Sequence, residues 1–199
     1  MAINNNIFAR ERDEQRDEFL DVSPATAEQQ VKAGIYPTAE KARERNNKAV
    51  KQGIVAYLGH ILNLEGRREM LFARFDIPRE LLQHEYEVTE LILSAKPDAY
   101  RRGYQVGPYR PDAELLFGQT VLYLERERTR KSLDKVRERI RQYDGCGGDV
   151  CWVVDTDARI KNIIGSCRPP ANHYFTTYRQ AMENWRDPSI WQQNTQPTP

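Results

Sequence analysis

Long apolar runs are missing from this 199-residue chain. A helix needs about 20 mostly apolar residues to cross a bilayer, and no stretch approaches that. The N-terminal segment MAINNNIFARERDEQRDEF has no apolar core of the kind a secretory signal carries. Together these absences lead us to expect a cytoplasmic protein with no membrane partner. Cysteine is scarce. Cys146, Cys151 and Cys167 are odd in number and form no C-x-x-C pair, which leaves reduced thiols as the expectation. No histidine lies near them before His173, so four zinc ligands are not at hand. An excess of charge of one sign is also missing. The formal net charge is +1 although 30% of residues are charged. Net charge therefore excludes nothing about nucleic acid, and the local distribution has to decide.

That distribution is uneven. Between Arg10 and Asp21 three arginines face six acids, whereas Thr38–Lys51 carries Lys41, Arg43, Arg45, Lys48 and Lys51 against Glu40 and Glu44. Residues 1–22 read as a polar N-terminal arm or a first helix over about Ala9–Leu20. Ser23-Pro24 offers a cap and a first-position proline, which predicts a helix through ATAEQQVKA ending at Gly34. Thr38 is placed to cap a second helix ending at Gly53. Then IVAYLGHIL and EMLFARF read as strands joined by the turn NLEGRR.

Helix, turn, basic helix and hairpin is the order of a winged helix-turn-helix over 23–77. In that arrangement Lys41, Arg43, Arg45, Asn46, Asn47 and Lys48 would reach base edges or phosphates, and Arg67 and Arg68 of the hairpin would touch backbone. A solvated amphipathic helix beside a small hairpin is the competing reading.

Beyond Pro78, RELLQHEYEVTELILSA has helical spacing at Leu81, Leu82, Val88, Leu91, Ile92 and Ala95. AYRRGYQVGPY reads as a short strand and turn, and two strands joined at Gly118-Gln119 follow. A helix burying Leu133, Val136, Ile140 and Tyr143 comes next, then the buried strand VCWVV. DTDARIKNIIGSC reads as a capped helix with Asp155 and Asp157 at its start. NHYFTTYRQAMENW supplies a last strand and helix, and 192–199 reads as a disordered tail. The order α-β-β-β-α-β-α-β-α implies an α/β sandwich around one small mixed sheet.

Side chains alternate along a strand, so Glu125 and Glu127 share a face, and Asp112 lies on the neighbouring strand. A magnesium ion between Glu125 and Glu127, with Asp112 supplying a third oxygen ligand, would relieve the repulsion of the two glutamates and suit phosphate chemistry. Exposed ion pairs at a frayed strand end are the alternative.

The Pro-Asp, strand, Glu-x-Glu, basic-helix pattern resembles the PD-(D/E)XK nuclease-like superfamily. Within it, LLQHEYEVTELIL, RPDAELL, VLYLERERTRKSLDKVRERIRQY, DVCWVVDTDARIKNII and YFTTYRQAMENWRDPSIW resemble the replication-relaxation family of plasmids and other mobile elements. The likeness covers roughly 78–191 and, more loosely, Ser23–Phe75. It implies a winged helix followed by a restriction-endonuclease-like α/β sandwich. It also implies Asp112 and Glu125 as metal-binding acids, with Glu90, or Glu87 as its rival, as the acid of the first helix. The superfamily's lysine falls where this chain has Glu127, which leaves two alternatives: its role has moved to Lys131 or Lys135 of the following helix, or it is absent and the fold binds DNA without cutting it. His84 matches a histidine near the start of the family's helix and reads from its position as a helix-packing or hydrogen-bonding residue rather than a catalyst.

The implied function is DNA binding in replication, relaxation or mobilisation, with partners that include a second copy or replication and mobilisation proteins. A magnesium-dependent endonuclease or nickase is the first alternative. A transcription regulator or assembly factor without nuclease activity is the second.

Overall fold

The computed structural model describes residues 2–103, 110–128 and 131–194, with side chains from Ala9 onward. Its contacts divide the chain into two compact units, Met1–Leu93 and Ser94–Pro199.

The first unit begins with helix α1 (Ala2–Val22). It is a helix anchored at its end by Leu20, which is fully buried with Ala25, Ala49, Val55 and Phe72. Helix α2 (Ala27–Lys32) starts later than Ser23-Pro24 predicts. Thr26 is its N-cap. The Thr26 hydroxyl accepts from Gln29 N and the Gln29 side chain accepts from Thr26 N, a reciprocal capping box. Pro24 is left outside the helix because Ala25 is used as a strand: its N–H and C=O both bond to Phe72, at 2.9 and 3.0 Å.

Thr38 caps helix α3 (Ala39–Lys51) as its sequence position predicts, accepting from Lys41 N at 3.2 Å. Gly34 and Gly53 end the two helices at φ +76° and +71°, a conformation that other residues adopt at a cost. Strands β1 (Ala56–Leu62) and β2 (Arg68–Ala73) then pair antiparallel. Helix α4 (Leu82–Ala95) follows a short 3-10 turn, and its Leu82 and Tyr86 join Ile61 and Leu71 in a second apolar cluster.

The second unit is built on strands β3 (Ala99–Arg102), β4 (Ala113–Phe117), β5 (Thr120–Glu127), β6 (Asp149–Val154) and β7 (His173–Thr177), in spatial order of sequence. The first three form an antiparallel meander, and β5, β6 and β7 are parallel. Parallel neighbours require crossovers, supplied here by α5 (Leu133–Gln142) and α6 (Asp157–Cys167). Helix α7 (Tyr178–Asn184) follows β7. The order of elements after Pro78 is the order its hydrophobic periodicity predicts.

Register sets the two faces of this sheet. Tyr123, Glu125, Glu127, Val150, Trp152, Val154 and Phe175 share one. The apolar members of that face bury Val136 and Ile140 of α5 and Ile160 and Ile163 of α6. Leu122, Leu124, Arg126, Cys151, Val153 and Tyr174 share the other. Beyond α7, Gln192 pairs its backbone with Phe175 on the outer edge of β7, at 2.7 and 2.8 Å. The predicted tail is therefore structured through Gln192, and 195–199 lie outside the described residues.

Candidate functional site: a basic helix face and a buried carboxylate cluster

In the first unit, α3 turns Ala42, Asn46 and Ala49 inward. Asn46 is fully buried, with neither side-chain polar atom bonded among the described residues. It is not available to a groove, which corrects its assignment as a base-reading residue. Positions 47, 48 and 51 lie on the opposite face, and Asn47, Lys48 and Lys51 are exposed there.

The other basic residues are already engaged. Lys41 pairs with Glu44 at 2.7 Å, Arg43 pairs with Glu28, and Arg45 lies 3.6 Å from Asp13. In the hairpin, Arg67 pairs with Glu65 and Arg68 is exposed. Exposed pairs of this kind contribute about 0–1 kcal/mol, so Lys41, Arg43 and Arg67 are only weakly held by them. His60 Nδ1 lies 2.7 Å from the Tyr57 hydroxyl. In α4, Glu90 is buried and pairs with Lys32 at 2.6 Å, and Glu87 accepts from Gln83 Nε2 at 3.1 Å. His84 sits half-buried in the first turn of α4.

The second unit places Glu125 and Glu127 on one sheet face as alternation predicts, but neither lies at a frayed end. They are 4% and 2% exposed. Each carboxylate meets an arginine. Glu125 Oε1 accepts from Arg139 Nε at 3.0 Å and Nη2 at 2.8 Å, and also from the Tyr143 hydroxyl. Glu127 Oε1 accepts from Arg159 Nη2 at 3.1 Å, and Lys131 Nζ lies 3.3 Å from its Oε2. On the opposite face Arg126 pairs with Asp155, donates to Glu127 O and Val153 O, and lies over the Tyr178 ring at 4.9 Å. Asp155 is thereby committed to an ion pair beyond its place before α6. Asp112 N extends the β4–β5 ladder to Leu124 O, and its Oδ2 accepts from Arg126 N at 2.7 Å. Lys135 is exposed on α5.

Burial, and then the charge of Asp112, push the Glu125 carboxyl up to about 7, against the opposing pull of Arg139 and Tyr143. Burial and Glu125 hold the Tyr143 hydroxyl well above its ordinary range, so it donates. Arginine suits this work because its planar fork stays charged and satisfies one carboxylate with two donors.

This donor set does not fit a hydrated magnesium ion. Glu125 Oε1 already takes three donors, and the adjacent positive charge comes from Arg139. Among the described residues no three His, Cys, Asp or Glu side chains converge in a metal-holding group.

The partners Arg139, Tyr143, Arg159 and Arg126 are absent from the sequence-based site. Helical spacing carried a signal for two of them. Arg139 falls at the i+3 position after Val136 and before Tyr143, inside the apolar stripe, and Arg159 stands one turn before Ile163. No helix of the described residues is long and apolar enough to cross a membrane. Comparison with family models, curated proteins and solved structures returns no match.

Proposed function

We propose that this chain is a DNA-binding protein of a plasmid or other mobile element. It would act in replication, relaxation or mobilisation, and its second unit would be a nuclease-like domain kept for binding rather than cutting. The observation that carries the reading is the exposed Asn47, Lys48 and Lys51 face of α3, with Arg68 exposed on the hairpin that follows.

Two features of chain order support it. The order α1, a strand-like Ala25, α2, α3 and hairpin is compatible with a winged helix, in which the second helix of the pair would enter the major groove. In the second unit, a three-stranded meander, a crossover helix and a parallel strand follow one another around Asp112 and Glu125, in keeping with the resemblance to PD-(D/E)XK domains. The arginine-held carboxylates favour binding over cleavage.

The test is anisotropy of labelled duplex DNA at rising salt, in EDTA. Binding should persist without metal and weaken steeply with salt. Substituting Lys48 and Lys51 together by alanine should weaken it and lower the salt slope by about two. Duplex affinity unchanged in that variant sinks the reading.

The endonuclease reading keeps one observation in its favour, the amine of Lys131 beside Glu127. It predicts that supercoiled plasmid is nicked with Mg²⁺ or Mn²⁺ and that Glu125→Ala abolishes nicking. Unchanged topology with retained DNA retardation excludes it.

A further inference from the structure

The sheet face opposite α5 and α6 is open at one end. Phe117, Leu122, Asp149, Cys151 and Tyr174 come together there from four adjacent strands. The segment after α7 walls this end with Trp185 and Trp191, leaving a cleft of about 410 Å³. That lies within the roughly 300–1,000 Å³ range of small-ligand sites.

The wall is rigid. The two indoles meet edge-to-face at 5.0 Å, and Trp191 Nε1 donates to Trp185 O at 3.1 Å. Two charges face the cleft. Asp149 is half-buried and Arg186 is exposed at the rim, and neither side chain has a hydrogen-bond or ion-pair partner among the described residues. The carboxylate is felt inside the cleft: burial, and then Asp149, push the Cys151 thiol up to about 12.

Aromatic walls, an unsatisfied acceptor inside and an unsatisfied cation at the mouth define a narrow class of occupant. An apolar peptide side chain would bury Asp149 without a donor, which is unfavourable. A cationic side chain would answer Asp149 but meet Arg186. A nucleobase offers a π-face to the aromatic walls, an exocyclic amine to the carboxylate, and a phosphate to the arginine.

We propose that this cleft holds one unstacked base of single-stranded DNA, with a preference for bases carrying an exocyclic amine. Aromatic faces of the cleft stack on it, Asp149 accepts from the amine and Arg186 contacts the adjoining phosphate. The proposal rests on the DNA-binding reading but uses none of the α3 residues.

The experiment titrates the full chain with short oligo(dC), oligo(dT) and free dCMP, following tryptophan emission and the anisotropy of labelled oligonucleotides. Oligo(dC) should quench the tryptophans and bind about tenfold more tightly than oligo(dT), whose base lacks the amine. Asp149→Asn should erase that preference. Trp191→Ala should weaken both oligonucleotides by about tenfold. Arg186→Ala, an exposed change that leaves the wall intact, should weaken both and reduce the salt dependence.

Equal binding of the two oligonucleotides that Asp149→Asn does not alter overturns the proposal. So does dCMP binding as tightly as the strand, which would assign the cleft to a free nucleotide. Duplex binding without oligonucleotide binding removes this proposal and leaves the α3 reading standing. Oligonucleotide binding that survives the loss of duplex binding removes the α3 reading and leaves this one.

Discussion

Helices α3 and α5 are alike in sequence and opposite in use. Each follows a hydroxyl cap, Thr38 or Ser132, and each carries several lysines and arginines. Helix α3 buries the small Ala42 and Ala49 with Asn46 and keeps Asn47, Lys48 and Lys51 at the surface. Helix α5 sends Lys135 and Arg141 outward, but Arg137 reaches Ser166 O and Arg139 turns under the helix to Glu125. What lies opposite makes the difference. The sheet face beneath α5 presents a buried carboxylate, and a guanidinium long enough to reach it removes an otherwise uncompensated charge. A run of basic residues therefore describes a nucleic-acid surface only after its inward-facing members are subtracted.

The strongest way to break this comparison is to remove the inward arginine. Arg139→Ala should destabilise the protein by about 3 kcal/mol, since it strips a buried carboxylate of its partner. Arg139→Lys should recover only part of this, because a single ammonium cannot replace the fork. Urea unfolding checks both, and a loss below about 1 kcal/mol would place the pair among ordinary surface bridges.

The next effect is a pH dependence. Glu125 titrates near 7 when folded, above the ordinary value of 4.5. The folded state keeps a proton that the unfolded state has released, so its contribution to stability falls as pH rises through that window. The stability of wild type relative to Glu125→Gln should drop by about 3 kcal/mol between pH 4 and pH 8. A flat difference would mean that Glu125 stays ionised in the fold. His173, held down to about 4 by burial, titrates in both proteins and cancels in the comparison.

A smaller effect separates the caps. Thr26→Ala should cost about 1 kcal/mol, and more than Thr38→Ala. Thr26 is buried in a reciprocal box, whereas the Thr38 contact is exposed. Thermal melts of the two variants decide it.

The smallest change in stability belongs to the outward face. Lys48→Ala should alter stability by less than about 0.5 kcal/mol while lowering the salt slope of duplex binding by about one. The reverse pattern, lost stability with DNA binding untouched, would make α3 a structural helix.

Much of the architecture follows from local signals. The element order after Pro78 could be read because apolar spacing switches between periods of two and 3.6 residues. Thr38, Gly34 and Gly53 mark helix ends because their chemistry fits few other positions. The start of α2 could not be read this way. Ser23-Pro24 is a good local cap, but the ladder from Ala25 to Phe72 takes those residues into extended backbone and leaves Thr26 to begin the helix. That contact spans 47 residues of chain, and no local propensity reports it.

The same division holds at the candidate sites. The sequence by itself determined that Glu125 and Glu127 share a face, because strand alternation is a property of the backbone. It also determined which helices carry basic residues. Only the tertiary structure decided that those glutamates are buried and held by Arg139 and Arg159, that Asn46 points inward, and that Asp149 and Trp191 line one cleft. Each of these depends on which surface folds against which, and burial is set by contacts between residues distant in the chain.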